Sequence, residues 1–179
     1  MALNVELLES SFEQVKPVGA EFANSFYDNL FTAAPEAKPL FANTDLAAQQ
    51  KKLLASLVLV VENLRNGDVL TSTLRGLGAR HVKYGALPEH YPIVGGALLE
   101  TFEQYLGADW TPSVKQAWVD AYGAITELML DGADYSAQEV ALPAESTATA
   151  VDDTGNRGEM VPVAFTFIGL LVLGIVLAL

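Results

Sequence analysis

The sequence contains no cysteine and only two histidines, His81 and His90. The absence of cysteine excludes disulfides, zinc–thiolate sites, iron–sulfur clusters and catalysis by a thiol. Imidazole is the commonest metal ligand among protein side chains. If the protein holds a transition metal through nitrogen, we therefore expect one of these two histidines to bind it.

Positive charge is also scarce. The chain has 10 lysines and arginines against 22 aspartates and glutamates, which gives a net charge of −12 over 179 residues. Nucleic-acid binding requires a basic surface that contacts the phosphates, so we expect no nucleic-acid partner. Residues 1–11 include Glu6 and Glu9 where a secretory signal has an apolar run, so we expect no such signal.

Strand signals are few and helical periodicity dominates, which predicts an all-α domain over residues 1–133. Asp45 is a suitable N-cap, and Pro112 suits the first position of a helix. Glycine and proline separate the segments. The predicted helices cover residues 7–18, 20–32, 45–64, 69–84, about 92–106 and 112–130.

The composition changes after residue 133. Residues 134–159 are rich in Ala, Ser, Thr, Asp and Glu, which predicts a flexible linker. Residues 160–179 carry no charge and are apolar on every face, and about 20 helical residues span the hydrocarbon core of a bilayer. A buried core helix is the alternative, but no amphipathic pattern favours it. We expect a single C-terminal transmembrane helix with the preceding domain in the cytoplasm, since the nearest cation, Arg157, lies on the domain side.

His81 lies on an apolar stripe of the fourth predicted helix. A histidine in such a place is either a hydrogen-bonded core residue or a metal ligand, and imidazole is also the usual axial base of haem iron. Arg80 lies on the flank of the stripe, where it either faces solvent or reaches a carboxylate such as a haem propionate. We expect His90, at the start of the next helix, to be solvated. The stripe consists of Leu70, Leu74, Leu77, His81 and Tyr84.

A second stripe, on the third predicted helix, contains a polar side chain. Gln50, Leu54, Leu57 and Val61 recur at helical spacing, which predicts that Gln50 faces inward. A stripe that starts at Gln49 would instead place Ser56 on the buried face. A buried glutamine needs hydrogen-bond partners, and a diatomic ligand on iron is one such partner.

Two aromatic residues precede that helix. Tyr27 lies within an apolar run, either as a core aromatic or as a phenol that donates to bound O2. Phe41 follows a proline turn, either as a core aromatic or as a ring that stacks on a flat macrocycle.

In their order and spacing these residues resemble the globin family over about residues 3–132. The resemblance is closest to flavohaemoglobin-like single-domain bacterial globins, and there is some resemblance to neuroglobins. It rests on SFYDNLF at 25–31, PLF at 39–41, Gln50 with Leu54, ARH at 79–81, HYPIVGGALL at 90–99 and WVDAYGAITELM at 118–129.

The resemblance implies a globin fold that binds haem b, with His81 as the proximal iron ligand and Arg80 at the pocket edge. It implies that Tyr27, Gln50 and Leu54 stabilise the distal ligand, that Phe41 wedges the porphyrin and that Tyr91 orients His81. Because a glutamine stands at the distal position, we expect ferrous iron to be five-coordinate and open to gas. The sequence departs from the flavohaemoglobin pattern at Ala133, where a proximal glutamate is expected.

Three functions remain open at this point. The first is reversible O2 binding for transport or supply at a membrane. The second is dioxygenation of nitric oxide, which requires a separate reductase because the sequence shows no flavin or nicotinamide domain. The third is a haem-free helical adaptor on a membrane anchor.

Overall fold

A computed structural model of the protein describes residues 3–42, 44–83 and 86–133, and every regular element within these ranges is a helix. The prediction of an all-α domain is confirmed for these residues. Short 3-10 helices cover Lys16–Val18, Pro35–Phe41 and Gly107–Asp109. The α-helices are α1 (Val5–Val15), α2 (Gly19–Ala33), α3 (Leu46–Glu62), α4 (Gly67–Lys83), α5 (His90–Leu106) and α6 (Pro112–Gly132).

The predicted cap of α3 and the predicted first position of α6 are confirmed. The Asp45 carboxylate accepts a hydrogen bond from the Ala48 backbone N–H at 3.1 Å, and the Thr111 hydroxyl accepts one from the Val114 N–H at 3.3 Å. Pro112 occupies the first turn of α6, where a missing N–H leaves no bond unmade. Both helices therefore begin where the sequence indicates.

The first helix is shorter than predicted. It was expected to reach residue 18, but α1 ends at Val15 and the chain continues through a 3-10 turn into α2. Pro17 explains the difference, because proline cannot donate to the carbonyl four residues earlier and its ring clashes with it.

The larger core lies where α1, α2, α5 and α6 meet. Phe102 packs against Phe22 with ring centroids 4.8 Å apart and stacks on Trp118 at 3.9 Å. The Trp118 indole N–H donates to the Ser11 hydroxyl at 3.0 Å, so this buried polar group is satisfied. This core holds α2 and α5 in fixed positions on one side of the molecule.

A second core lies between α4 and α6. Leu70 and Leu74 of α4 pack with Met129 of α6 and with Tyr91 of α5. The two helices approach so closely at Gly78 that a Cβ there would overlap the Met129 carbonyl. His81 lies one turn beyond Gly78, so this contact fixes the position of the helix that carries the imidazole.

Within the described residues, no helix combines the length and the hydropathy needed to cross a bilayer. The predicted linker at 134–159 and the predicted transmembrane helix at 160–179 lie outside these residues.

Candidate functional site

An apolar cavity lies between α3, α4, α5 and α6. Its volume is about 100 Å³, smaller than the roughly 300–1,000 Å³ that ligand pockets occupy. His81 and Tyr91 line it, so it includes the predicted proximal side of the site. Its apolar wall includes Phe26, Leu53, Leu57, Val60, Leu74, Leu77, Val94, Leu98, Ile125 and Met129.

His81 is buried, with 2 % of its surface exposed. Its Nδ1 lies 2.8 Å from the Leu77 carbonyl oxygen, and because a carbonyl only accepts, Nδ1 must carry the proton. Burial, the largest effect, lowers the pKa of His81 to about 4, so the ring is neutral near pH 7. The lone pair of the neutral ring is then on Nε2, which is buried and has no hydrogen-bond partner among the described residues.

The second histidine does not line this cavity. His90 is the first residue of α5 and is half-buried, and its Nδ1 accepts a hydrogen bond from the Leu87 N–H at 3.2 Å. Burial lowers the pKa of His90. His90 was expected to be solvated, and it is partly exposed, with its ring against the turn before α5.

Tyr91 packs against His81, as the resemblance implied. The two rings are stacked with centroids 6.3 Å apart and an interplanar angle of 30°. Tyr122 of α6 donates from its hydroxyl to the Tyr91 backbone carbonyl at 2.7 Å. The α6 helix therefore holds the segment of α5 that contacts the His81 ring.

The inward-facing glutamine of α3 is Gln49, and the prediction of Gln50 was wrong. Gln49 is 2 % exposed and Leu53, one turn later, is buried. Gln50 and Leu54 are only half-buried. Gln50 instead donates from Nε2 to the Asn24 Oδ1 at 3.0 Å, on the flank of α3 that faces α2.

The error has a geometric cause. Consecutive helical residues differ by about 100° around the axis, so stripes beginning at Gln49 and at Gln50 both include Leu57 and Val61. The Gln49 stripe also brings Ser56 inward, and Ser56 does line the cavity.

Tyr27 and Phe41 lie together near Gln49. Tyr27 is 1 % exposed, and its ring contacts Phe41 with centroids 5.9 Å apart. Burial raises the pKa of Tyr27, while the nearby Gln49 amide acts in the opposite direction. The Gln49 contact does not reach the geometry of a formed hydrogen bond, so the protonated phenol keeps its capacity to donate. Phe41 also packs on Phe31 at 5.1 Å.

Arg80 lies beside His81 and is half-buried. Its positive charge helps to lower the pKa of His81, after the larger effect of burial. The Arg80 Nε is buried and makes no hydrogen bond to any described residue. Arg80 lies at the predicted flank position, and it is not among the residues that line the cavity.

The sequence profile of the globin family matches residues 24–129, more than half of the chain. The chain belongs to the globin family. The predicted globin fold agrees with a solved structure of a bacterial globin from Campylobacter jejuni, which has 27 % sequence identity and a TM-score of 0.62. That match covers 72 % of this chain and 92 % of the Campylobacter chain.

This globin is also similar to several proteins named flavohemoprotein. One from Rhizobium meliloti (strain 1021) is 32 % identical over 113 residues, covering 62 % of the globin and 28 % of the relative. One from Bacillus subtilis (strain 168) is 30 % identical over 128 residues, covering 70 % and 32 %. The globin thus spans less than a third of the length of each of these relatives.

The residues of the cavity fit the prosthetic group that the globin family implies. A neutral imidazole with a buried, unpartnered Nε2 is the form of histidine that binds a metal. The surrounding wall is apolar, as a porphyrin requires.

Ala133 provides no carboxylate on the proximal side. It forms the C-cap of α6, and its N–H donates to the Leu130 carbonyl at 3.1 Å. The neighbouring Asp131 accepts a hydrogen bond from the Arg75 Nε at 2.6 Å on the surface. Among the described residues, Tyr91 and the Leu77 carbonyl are therefore the groups that orient the His81 ring.

Two features of the site were missed in the sequence. The buried stripe of α3 contains Gln49 and Leu53, one position before the predicted Gln50 and Leu54, and periodicity alone does not choose between the two. Tyr122 was noted only as part of a family segment. Tyr122 contacts Tyr91, 31 positions earlier, and no local sequence pattern predicts this contact.

Proposed function

We propose that this globin binds haem b, with His81 Nε2 as the proximal iron ligand, and that it binds O2 reversibly. The observation that carries the proposal is the buried, neutral imidazole of His81, whose lone pair has no partner among the described residues. Leaving such an acceptor unsatisfied costs about 1–3 kcal/mol, which a ligated iron would offset.

The haem, when bound, supplies a ferrous iron that takes up diatomic gases. The Leu77 carbonyl keeps the His81 proton on Nδ1, and Tyr91 holds the plane of the ring. The Tyr27 phenol would donate a hydrogen bond to the bound gas, and Gln49 would support that phenol. Phe41 and Arg80 would help to hold the haem, through ring contact and through a propionate.

Cycles of O2 and argon over the reduced, haem-loaded protein test this function. We expect the absorption spectrum to alternate between a five-coordinate ferrous form and an O2 complex over many cycles. Immediate and complete oxidation to the ferric form in the first cycle would contradict reversible O2 binding.

Dioxygenation of nitric oxide is the second candidate, favoured by the similarity to flavohemoproteins. In this reaction NO and O2 give nitrate and consume one electron, so a separate reductase must return the iron to the ferrous state. The missing carboxylate at Ala133 disfavours it, because that group would make the imidazole a stronger electron donor. The steady-state rate of NO consumption per haem, with a reductase supplied, distinguishes the two functions.

We further propose, from the sequence alone, that residues 160–179 anchor the globin in a membrane and that the globin domain is cytoplasmic. The support is an uncharged apolar segment of bilayer length that follows a polar linker. A lipid bilayer would then be a partner, and a membrane reductase would lie within reach. If the protein shows no haem spectrum, a haem-free helical adaptor on a membrane anchor becomes the favoured function.

A further inference from the structure

The exposed seam between α2 and α3 contains a short chain of side-chain amide contacts. Gln50 Nε2 donates to Asn24 Oδ1 at 3.0 Å, and Asn24 Nδ2 donates to Asp28 Oδ2 at 3.2 Å. The carboxylate of Asp28 accepts only from the amide nitrogen, so it directs the oxygen of Asn24 toward α3. Asn24 is therefore oriented to receive Gln50.

A second contact lies one turn along the same flank of α3. The Leu54 side chain fills the space beside Gly19, where an added Cβ would lie 2.6 Å from a Leu54 methyl carbon. Gln50 and Leu54, which were expected in the ligand pocket, together face α2. Their position fixes the rotation of α3 about its own axis.

This outer contact adjoins the buried polar pair of the site. Gln49 precedes Gln50 in α3 by one residue, and Tyr27 lies one turn after Asn24 in α2. The distance between the two helices therefore sets both the exposed contact and the approach of Gln49 to Tyr27. A rotation or retreat of α3 would change them together.

We propose that Asn24 is a positioning residue of the distal pocket. Its hydrogen bond with Gln50 holds the first turns of α3 against α2 and thereby fixes where Gln49 meets Tyr27. The proposal rests on the proposed function, in which these two side chains face a diatomic ligand. This hydrogen bond joins neutral amides at the surface, so it breaks readily. When it breaks, the first turns of α3 are held less firmly against α2.

Carbon monoxide bound to the ferrous, haem-loaded full chain is the probe. We expect Asn24→Ala and Gln50→Ala to shift the C–O stretching frequency in the same direction and to change CO rebinding after photolysis by about two- to tenfold. The double variant should add little to either single variant, since both remove one contact.

Gln104→Ala is the matched control. Gln104 is an exposed amide that exchanges hydrogen bonds with Asn29 of α2 at 3.1 and 3.2 Å, but it comes from α5 rather than α3. It should leave the C–O frequency and the rebinding rate unchanged. An Asn24→Ala protein that is indistinguishable from wild type in both measurements would overturn the proposal.

Amide hydrogen exchange over residues 46–54 separates this proposal from the proposed function. We expect faster exchange in Asn24→Ala and Gln50→Ala than in wild type or Gln104→Ala, with or without haem. Faster exchange with an unchanged C–O frequency would show that the contact only stabilises the helix, which overturns the positioning role. If the wild-type protein forms no CO complex, the proposed function fails. If amide exchange in Asn24→Ala also equals that of wild type, the role of the Asn24–Gln50 hydrogen bond in holding α3 is overturned as well.

Discussion

Tyr27 has one polar atom in a surrounding of aromatic rings. Because burial raises the pKa of Tyr27, the phenol stays protonated at any physiological pH and is available as a donor. A hydrogen bond to an acceptor that carries partial charge contributes about 1.5–3 kcal/mol. The contribution of Tyr27 to the free energy of O2 binding therefore comes from its hydroxyl group.

We expect Tyr27→Phe to accelerate O2 dissociation by about ten- to a hundredfold, because it removes the donor and keeps the ring. Stopped-flow displacement of O2 measures the rate. Tyr105→Phe is the control, since it also removes a half-buried phenol, one that contacts Ser25 at 2.9 Å. Equal dissociation rates in the two variants would remove Tyr27 from the distal role.

Single residues were predictable from the sequence where one apolar stripe decided their environment. His81 lies on such a stripe, and its burial was predicted correctly. Gln49 and Gln50 are adjacent, and periodicity cannot choose between them, because both flanks of α3 are covered. The choice depends on the packing of α2, through Asn24 and Gly19, which lies far away in the sequence.

At the scale of elements, α4 is held in place by its close approach to α6. Gly78 has no room for a side chain, because a Cβ there would overlap the Met129 backbone carbonyl. A backbone carbonyl, unlike a flexible side chain, cannot rotate out of the way. Gly76 lies in the same helix, and a Cβ there would have only the end of Arg80 within 4.0 Å. The two glycines thus form a matched pair.

We expect Gly78→Ala to lower the free energy of unfolding by about 1–3 kcal/mol or more, through overpacking. Gly76→Ala should raise it by about 0.5–1 kcal/mol, because alanine loses less conformational freedom in a helix. Urea unfolding of both variants measures the difference. Two equal effects would contradict the close contact of α4 with α6.

The helices themselves were largely predictable. Asp45 caps α3 and Pro112 occupies the first turn of α6 as the sequence indicates, because both features are local. The crossing of α4 over α6 was not predicted. The crossing depends on the contact of Gly78 with the Met129 carbonyl, 51 positions later. The sequence contains the glycine, but no local pattern indicates which residue it contacts.

At the scale of the whole molecule, the globin domain and the segment beyond residue 133 have separate tasks in this account. The cavity, the proximal histidine and the distal pair all lie within the described residues. If residues 160–179 act as a passive anchor, they determine where the domain resides and leave its chemistry unchanged.

We therefore expect deletion of residues 134–179 to leave O2 affinity unchanged and to move the globin from the membrane fraction to the supernatant. Oxygen equilibrium curves and fractionation of the two forms measure these outcomes. A large change in affinity would contradict a passive anchor, and a full chain in the supernatant would contradict the anchor itself.

In the proposed function, His81 ligates haem iron in the cavity between α3, α4, α5 and α6. The most direct test is the absorption spectrum of the full chain expressed with haem supplied, beside His81→Ala and the matched His90→Ala. We predict a Soret band and a five-coordinate ferrous spectrum in wild type and His90→Ala, and their loss in His81→Ala. A Soret band that survives His81→Ala unchanged would contradict the account.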